Sequence, residues 1–297
     1  MSTNNETITQ AFVQQFADGY IMAAQQKESR LQATVSNYGD VTGSSFTANN
    51  MGATEANDVT SRLSDTVWND NPNDTRVALM QDKDWSTPID KYDLPKLKAN
   101  PQGTYMQNGL AALNRKKDAV IYQSLIGTSI TRAGEALPYG SIALPSSQKI
   151  LDGGVGMTKA KLIKAKKLFR KNEADEQNGE DLYMLYDAEM LEDILSDTTL
   201  TSADFMAVQM LQDGKLSGHW LGFTWVPYEA LATSGTVKTT CAYAKSSTQF
   251  GVGLNRDIDI GPRRDKRNAI QIYIGESYGA VRTDEKKVVT IDYQFLA

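Results

Sequence analysis

PQGTYMQNGLAALNRKKDAVIYQSLI, residues 101–126, is the stretch from which the rest of the chain can be placed. Met106, Leu110, Leu113, Val120, Ile121 and Leu125 recur at helical spacing and keep one apolar face. Lys117 interrupts that face and is expected to snorkel its charge outward. Asn100 is a good N-cap and Pro101 is preshaped for the first helical turn. Gly127 stands where a left-handed C-cap is expected. At 1.5 Å per residue such a helix runs about 39 Å, far beyond the average, which suits a structural strut.

Upstream of the strut the chain is poor in core material. Ile8, Phe12, Val13, Phe16 and Tyr20 predict an amphipathic helix within residues 7–35, and Gln25, Gln26, Ser29 and Arg30 lead out of it. One short apolar face is not stable alone, so this arm must dock on its own body or on a neighbour. From Ser44 to Thr75 the only large apolar residues are Phe46, Met51, Val59, Leu63, Val67 and Trp68. Val59, Leu63 and Val67 could line a short helix, but no compact core can be built from them. The next stretch, 75–97, predicts two strands around a charged QDKD tip, with Pro88 and Pro95 barring a central sheet position. Residues 37–98 therefore read as a long protruding loop, partly a hairpin.

Downstream, helices and strands mix without a βαβ rhythm, the pattern of an α+β fold. After a Gly/Pro/Ser connector at 133–157, Thr158 caps a helix with seven basic residues from Lys159 to Lys171. LYMLY at 182–186 predicts a buried strand, and 187–197 an acidic helix carrying Asp187, Glu189, Glu192, Asp193 and Asp197. LGFTWVPY, VKTTCAYA, AIQIYI and KKVVTIDYQF have strand composition. In the last, Val289, Ile291, Tyr293 and Phe295 alternate with polar residues, which predicts one buried face.

Chemistry is scarce. In 297 residues there are 31 basic and 36 acidic side chains, a net charge of −5, unlike a domain built to grip nucleic acid. The single cysteine, Cys241, excludes an intrachain disulfide, and the single histidine, His219, excludes paired-histidine metal sites. No apolar run reaches the roughly 18 residues of a membrane helix, and the polar MSTNNETITQ start is no secretory signal. These bounds describe a soluble protein of cytosolic origin. GGVGMTK at 153–159 lacks the glycine directly before lysine that a phosphate loop needs. Asp257 and Asp259 in DIDIG read as turn caps before Pro262 and Arg263, and the exposed pair Asp82/Asp84 has no burial to raise a pKa. His219 and Cys241 carry no nucleophile signature. The basic helix admits three readings: a solvated face over Leu162, Ala165 and Phe169; an ion-paired contact with the acidic helix of the same or another subunit; or a phosphate-neutralising face. No enzymatic, cofactor or metal site is expected.

The order of arm, extended loop, strut, mixed middle and closing β segment resembles the phage major capsid proteins with the Hong Kong 97-type coat fold. QQKESRLQATV, DWSTPIDKYDLPKL, ALNRKKDAVIYQSLIGT, MTKAKLIKAKKLF, QDGKLSGHWLGFTWVPY, CAYAKSSTQFGVG and YGAVRTDEKKVVTI carry the likeness, which spans almost the whole chain. The resemblance implies an N-terminal arm (1–36), an extended loop (37–98), a peripheral domain with the spine helix (99–157), an axial domain (158–266) and a return to the peripheral domain (267–297). It implies a tailed-phage coat protein that assembles as pentamers and hexamers into an icosahedral shell around double-stranded DNA, a virion component built in the host cytoplasm. An encapsulin-like compartment or a nucleic-acid binder acting through 159–171 are the alternatives. Implied intersubunit contacts are Phe12, Phe16, Arg30, Arg76, Lys83, Trp85, Lys164, Lys167, Glu192 and Asp193. The short arm implies no fused scaffold, hence a separate scaffolding protein or none, with a portal and a decoration protein as further candidate partners. Lys83 and Lys91 lie on the loop, but no isopeptide partner can be matched to them.

Overall fold

The computed structural model describes residues 22–63, 65–90, 102–132, 140–196 and 219–295. The spine helix α1 (Gln102–Ile126) is where the apolar period places it. Leu113, Ile121, Tyr122 and Leu125 are buried along it. Lys117 does not snorkel: it is buried, with its ammonium 5.7 Å from the centre of the Tyr278 ring. Gly127 is not left-handed. Its N–H closes the helix on the Gln123 carbonyl at 2.8 Å, and a Cβ there would stand 2.6 Å from that oxygen, so close approach requires the glycine. Asn100 and Pro101 lie outside the described residues.

Two compact units divide the chain, and α1 contributes to both. The larger holds a seven-stranded sheet in which β7 (Lys149–Ile150), β15 (Val288–Gln294), β12 (Val237–Ala244), β8 (Leu182–Tyr186), β10 (Phe223–Pro227) and β9 (His219–Trp220) lie side by side. β11 (Ala232–Ser234) adds to β12. β12 is central, antiparallel to β15 through Thr240↔Ile291 and to β8 through Ala242↔Met184. Both faces are covered, so Cys241, Ala242, Tyr243 and Val289 are all fully buried, and Thr290 is buried as well as its apolar neighbours. Helix α2 (Lys159–Lys171) adds Leu162, Ala165 and Phe169 to the same core. Helix α3 (Ala188–Ser196) adds Met190 and Ile194.

The larger unit also holds an antiparallel sheet ordered β2 (Ser45–Met51), β3 (Asn73–Leu79), β5 (Ser129–Thr131), β6 (Gly140–Ile142). A third sheet runs β1 (Ser36–Asp40), β13 (Thr248–Arg263), β14 (Ala269–Arg282), β4 (Gln81–Ile89). Pro88 sits in an edge strand, as its missing N–H demands. The expected hairpin with a QDKD tip is not formed. Those residues begin β4, while β3 turns away to pair β2 and β5, leaving Met80 alone between the two strands. Asp257 and Asp259 lie within β13 rather than capping a turn. The sheets also cross the expected segment boundaries. The 266/267 cut falls between β13 and β14 of one sheet, and β15, expected with the peripheral domain, lies between β7 and β12.

The smaller unit takes its chain from 22–28, 83–115 and 256–276. Arg115 there donates to the Gln25 side chain at 2.8 Å and to the Gln26 carbonyl at 3.1 Å. Asn114 donates to the Lys27 carbonyl at 2.8 Å. Residues 25–27 thus form a strap hydrogen-bonded along the helix, with no helix or strand of their own. Residues 22–35 contain no α-helix, only a 3-10 turn over Gln32–Thr34. The amphipathic part of the expected helix lies outside the described residues.

Within the larger unit Asp118 fixes the next turn of the strap. Its buried carboxylate accepts from Ser29 Oγ at 2.5 Å, the Arg30 N–H at 2.9 Å and the Leu31 N–H at 3.2 Å. Removing it takes the acceptor from the buried Leu31 N–H and from two part-buried donors, Ser29 Oγ and the Arg30 N–H, and a stranded buried donor costs about 1–3 kcal/mol. Asp118→Ala is expected to lower unfolding free energy by about 3–5 kcal/mol. Asp118→Asn, which keeps an acceptor oxygen, is expected to lose about half of that. Urea midpoints of the two variants check the order.

Candidate assembly surface

The hairpin β2–β3 is in register from Ser45↔Leu79 to Met51↔Asn73, and Gly52 N–H closes it on the Pro72 carbonyl at 2.7 Å. Beyond that point the described residues of 53–71 form no helix or strand, and among them the short helix expected through Val59, Leu63 and Val67 is not present. Polar side chains hold the loop's two limbs together instead. Asn57 donates to the Val67 carbonyl at 3.3 Å and to Asn69 Oδ1 at 2.8 Å, and Asn69 donates to the Glu55 carbonyl at 2.5 Å. The apolar side chains therefore point away from any core. Leu63 is 96% exposed and Trp68 89%, with Met51, Val59 and Val67 also exposed. A monomer rarely leaves such a group uncovered.

The base of this hairpin is firmly held. Arg76, expected at a subunit contact, is only 2% exposed. Its guanidinium pairs with Glu285 at 2.9 Å and Asp74 at 2.8 Å inside its own subunit. Desolvating that charge is tolerable because two carboxylates meet it. Nearby, Arg282 is fully buried and donates to the carbonyls of Leu125 (2.8 Å), Gly127 (2.6 Å) and Ile142 (3.1 Å). These are carbonyls the end of α1 and strand β6 would otherwise leave unsatisfied.

The other expected contacts divide. Arg30 is exposed, but its guanidinium reaches the Pro227 carbonyl of its own chain at 2.9 Å. Trp85 is half-buried, its ring occupying the space a side chain at Gly109 would need. Lys83 is half-buried on β4. Asp193 is half-buried and accepts the Met157 N–H at 2.6 Å. Lys164 and Lys167 are exposed together on α2, and Glu192 is exposed on α3. Phe12, Phe16 and Lys91 lie outside the described residues, as does the side chain of His219. Burial pushes the Cys241 thiol upward, which leaves it an inert core residue.

The glycine stretch at 153–156 is built for structure. Gly153 and Gly154 adopt φ of +60° and +72°, and Lys161 turns inward to donate to the carbonyls of Val155 (2.9 Å), Gly156 (2.9 Å) and Asp292 (3.1 Å). Burial pushes the Lys161 pKa down, against the opposing pull of Asp152, Asp193 and Asp292. Gly154, Val155 and Gly156 line a cleft of about 410 Å³ together with Glu189, Glu192 and Asp193. Those carboxylates repel a phosphate. Thr158 occupies the N-cap of α2 but its side chain makes no capping bond. The sequence counted Lys161 with the solvated lysines; its place on the Leu162/Ala165 side of the helix was the available signal.

A core gathered from distant segments, a long helix with a strap along it, and an outward hairpin with open apolar side chains define the Hong Kong 97-type coat fold. The family profile described as phage capsid protein matches residues 8–294, and the chain belongs to that family. It is a major capsid protein of the tailed-phage type, a structural component of the virion. The solved structure from Mycobacterium phage Che8 is similar over 98% of both chains, with TM-score 0.68 and 16% identity. The capsid of Cyanophage Pam1 is similar over 97% of both, with TM-score 0.72 and 12% identity. The capsid of Ralstonia phage GP4 is similar over 96% of both, with TM-score 0.71 and 10% identity. At such identities the likeness is one of fold. No curated protein sequence matches the chain.

Lys161→Met is expected to destabilise the subunit by about 2–4 kcal/mol, because three carbonyls lose a charged donor. Denaturant unfolding reads the loss directly, and Lys164→Met, on the open face, serves as the unchanged control.

Proposed function

We propose that copies of this capsid protein form pentamers and hexamers that close into an icosahedral shell around double-stranded DNA. The loop 53–71 of each copy covers a neighbour. The seven-stranded sheet with α2 and α3 serves as the axial domain, and α1 with the β13–β14 hairpin as the peripheral domain. Assembly takes place in the host cytoplasm, with a separate scaffolding protein, a portal and a decoration protein as candidate partners. The observation that carries this reading is the uncovered group Met51, Val59, Leu63, Val67 and Trp68. Burying five such side chains yields on the order of 10 kcal/mol gross, before the costs of association. That suits contacts which are individually reversible and collectively strong. Head-to-tail contacts between identical copies close into rings. The phage family match and the phage neighbours favour a virion shell over a compartment for protein cargo.

Electron microscopy of the full chain, expressed with and without its neighbouring genes, is expected to show closed shells. A chain that stays monomeric at high concentration in both preparations contradicts the proposal. Replacing residues 53–71 by a two-residue turn is expected to change subunit stability by less than about 1 kcal/mol, since surface changes away from a core cost little. The same replacement is expected to abolish shells; shells of normal yield would remove the loop from the assembly contact.

A further inference from the structure

Helix α2 has an outer face that no ion pair among the described residues engages. At helical spacing this face carries Lys159, Ile163, Lys167 and Lys171, with Lys164 beside them. Its other cations are taken: Lys166 pairs with Glu176, Arg170 pairs with Asp175 at 2.5 Å, and Lys161 is buried. Ile163 is 49% exposed at the centre of the cations left over. An apolar centre with a charged rim is the anatomy of a protein contact.

The complement lies on the same molecule. Beside α3 is the cleft of about 410 Å³ lined by Glu189, Glu192 and Asp193, with Phe295 as an apolar wall. Leu191 and Leu195 on the same helix are half-buried, packed against their own core with an edge left in solvent. Asp193 is engaged by the Met157 N–H; among the described residues Glu192 makes no ion pair, and Glu189 has a 3.9 Å approach from Lys238. Among the described residues no ion pair joins α2 to α3 within the chain. Two complementary patches on one molecule that do not meet each other can meet between copies, head to tail.

We infer that α2 of one copy docks on the acidic cleft beside α3 of the next. Lys164 and Lys167 face Glu189 and Glu192, and Ile163 packs toward Leu191 and Leu195. The inference rests on the coat reading above and assigns it a specific ring contact. A nucleic-acid face would have no use for the central isoleucine, it has no aromatic platform, and the net charge of −5 opposes it.

The test is a charge swap in the full chain, read by sedimentation and electron microscopy. Lys164→Glu with Lys167→Glu, and separately Glu189→Lys with Glu192→Lys, are each expected to raise the concentration needed for half-assembly about tenfold. The four substitutions together are expected to restore assembly to within about twofold, since the opposed charges are again paired. That recovery also shows that the reversed subunits fold. Reversals that assemble like the unsubstituted chain, or a combined variant that stays defective, overturn the inference and leave the coat reading standing. Loss of DNA retention with assembly unchanged assigns the lysines to nucleic acid instead. An unsubstituted chain that forms neither rings nor shells overturns the coat reading, and the inference with it.

Discussion

A buried carboxylate holds the place where this chain turns from strap to body. Asp118 sits on the spine helix and gathers Ser29 Oγ and the N–H groups of Arg30 and Leu31. Backbone donors removed from water must be satisfied somewhere, and here one side chain satisfies two of them. A segment with little core of its own is anchored when its root is held this way. The strap is rooted at Asp118, and the outward hairpin is rooted at Arg76 and Glu285.

The body is correspondingly overbuilt in polar stitches. Arg282 ties the end of α1 to β6, and Lys161 ties the glycine loop to β15. Apart from the short reach from Lys161 to its own loop, each of these bonds spans more than a hundred residues of sequence. A coat subunit needs this because its surfaces are used by neighbours. The exposed loop takes no part in that stitching and is bonded to itself through Asn57 and Asn69.

Much of this is legible in the sequence. The spine helix announced itself through Leu113, Ile121 and Leu125, and β10, β12, β14 and β15 through β-branched and aromatic composition. The coat architecture was legible through the order of segments rather than through any one motif. What stayed hidden depended on partners far along the chain. β1 (SNYGD) and β2 (SFTANNM) are polar runs that become strands because β13 and β3 supply their hydrogen bonds. QDKD read as a tip because charges favour turns, yet as the start of an edge strand it keeps most of those charges in water. Arg76 read as a surface contact because arginine usually is one, and the carboxylates of Asp74 and Glu285 make its burial affordable. The apolar residues of 51–68 were visible, but their exposure followed only from the structure, where Met51, Val59, Leu63, Val67 and Trp68 stand in solvent.

Hydrogen–deuterium exchange at residues 53–71, compared between dissociated subunits and intact shells, tests the central claim most directly. The account predicts fast exchange in the free subunit, where polar side chains alone hold the loop, and strong protection in the shell. Protection already complete in the free subunit, or exchange equally fast in the shell, would contradict it.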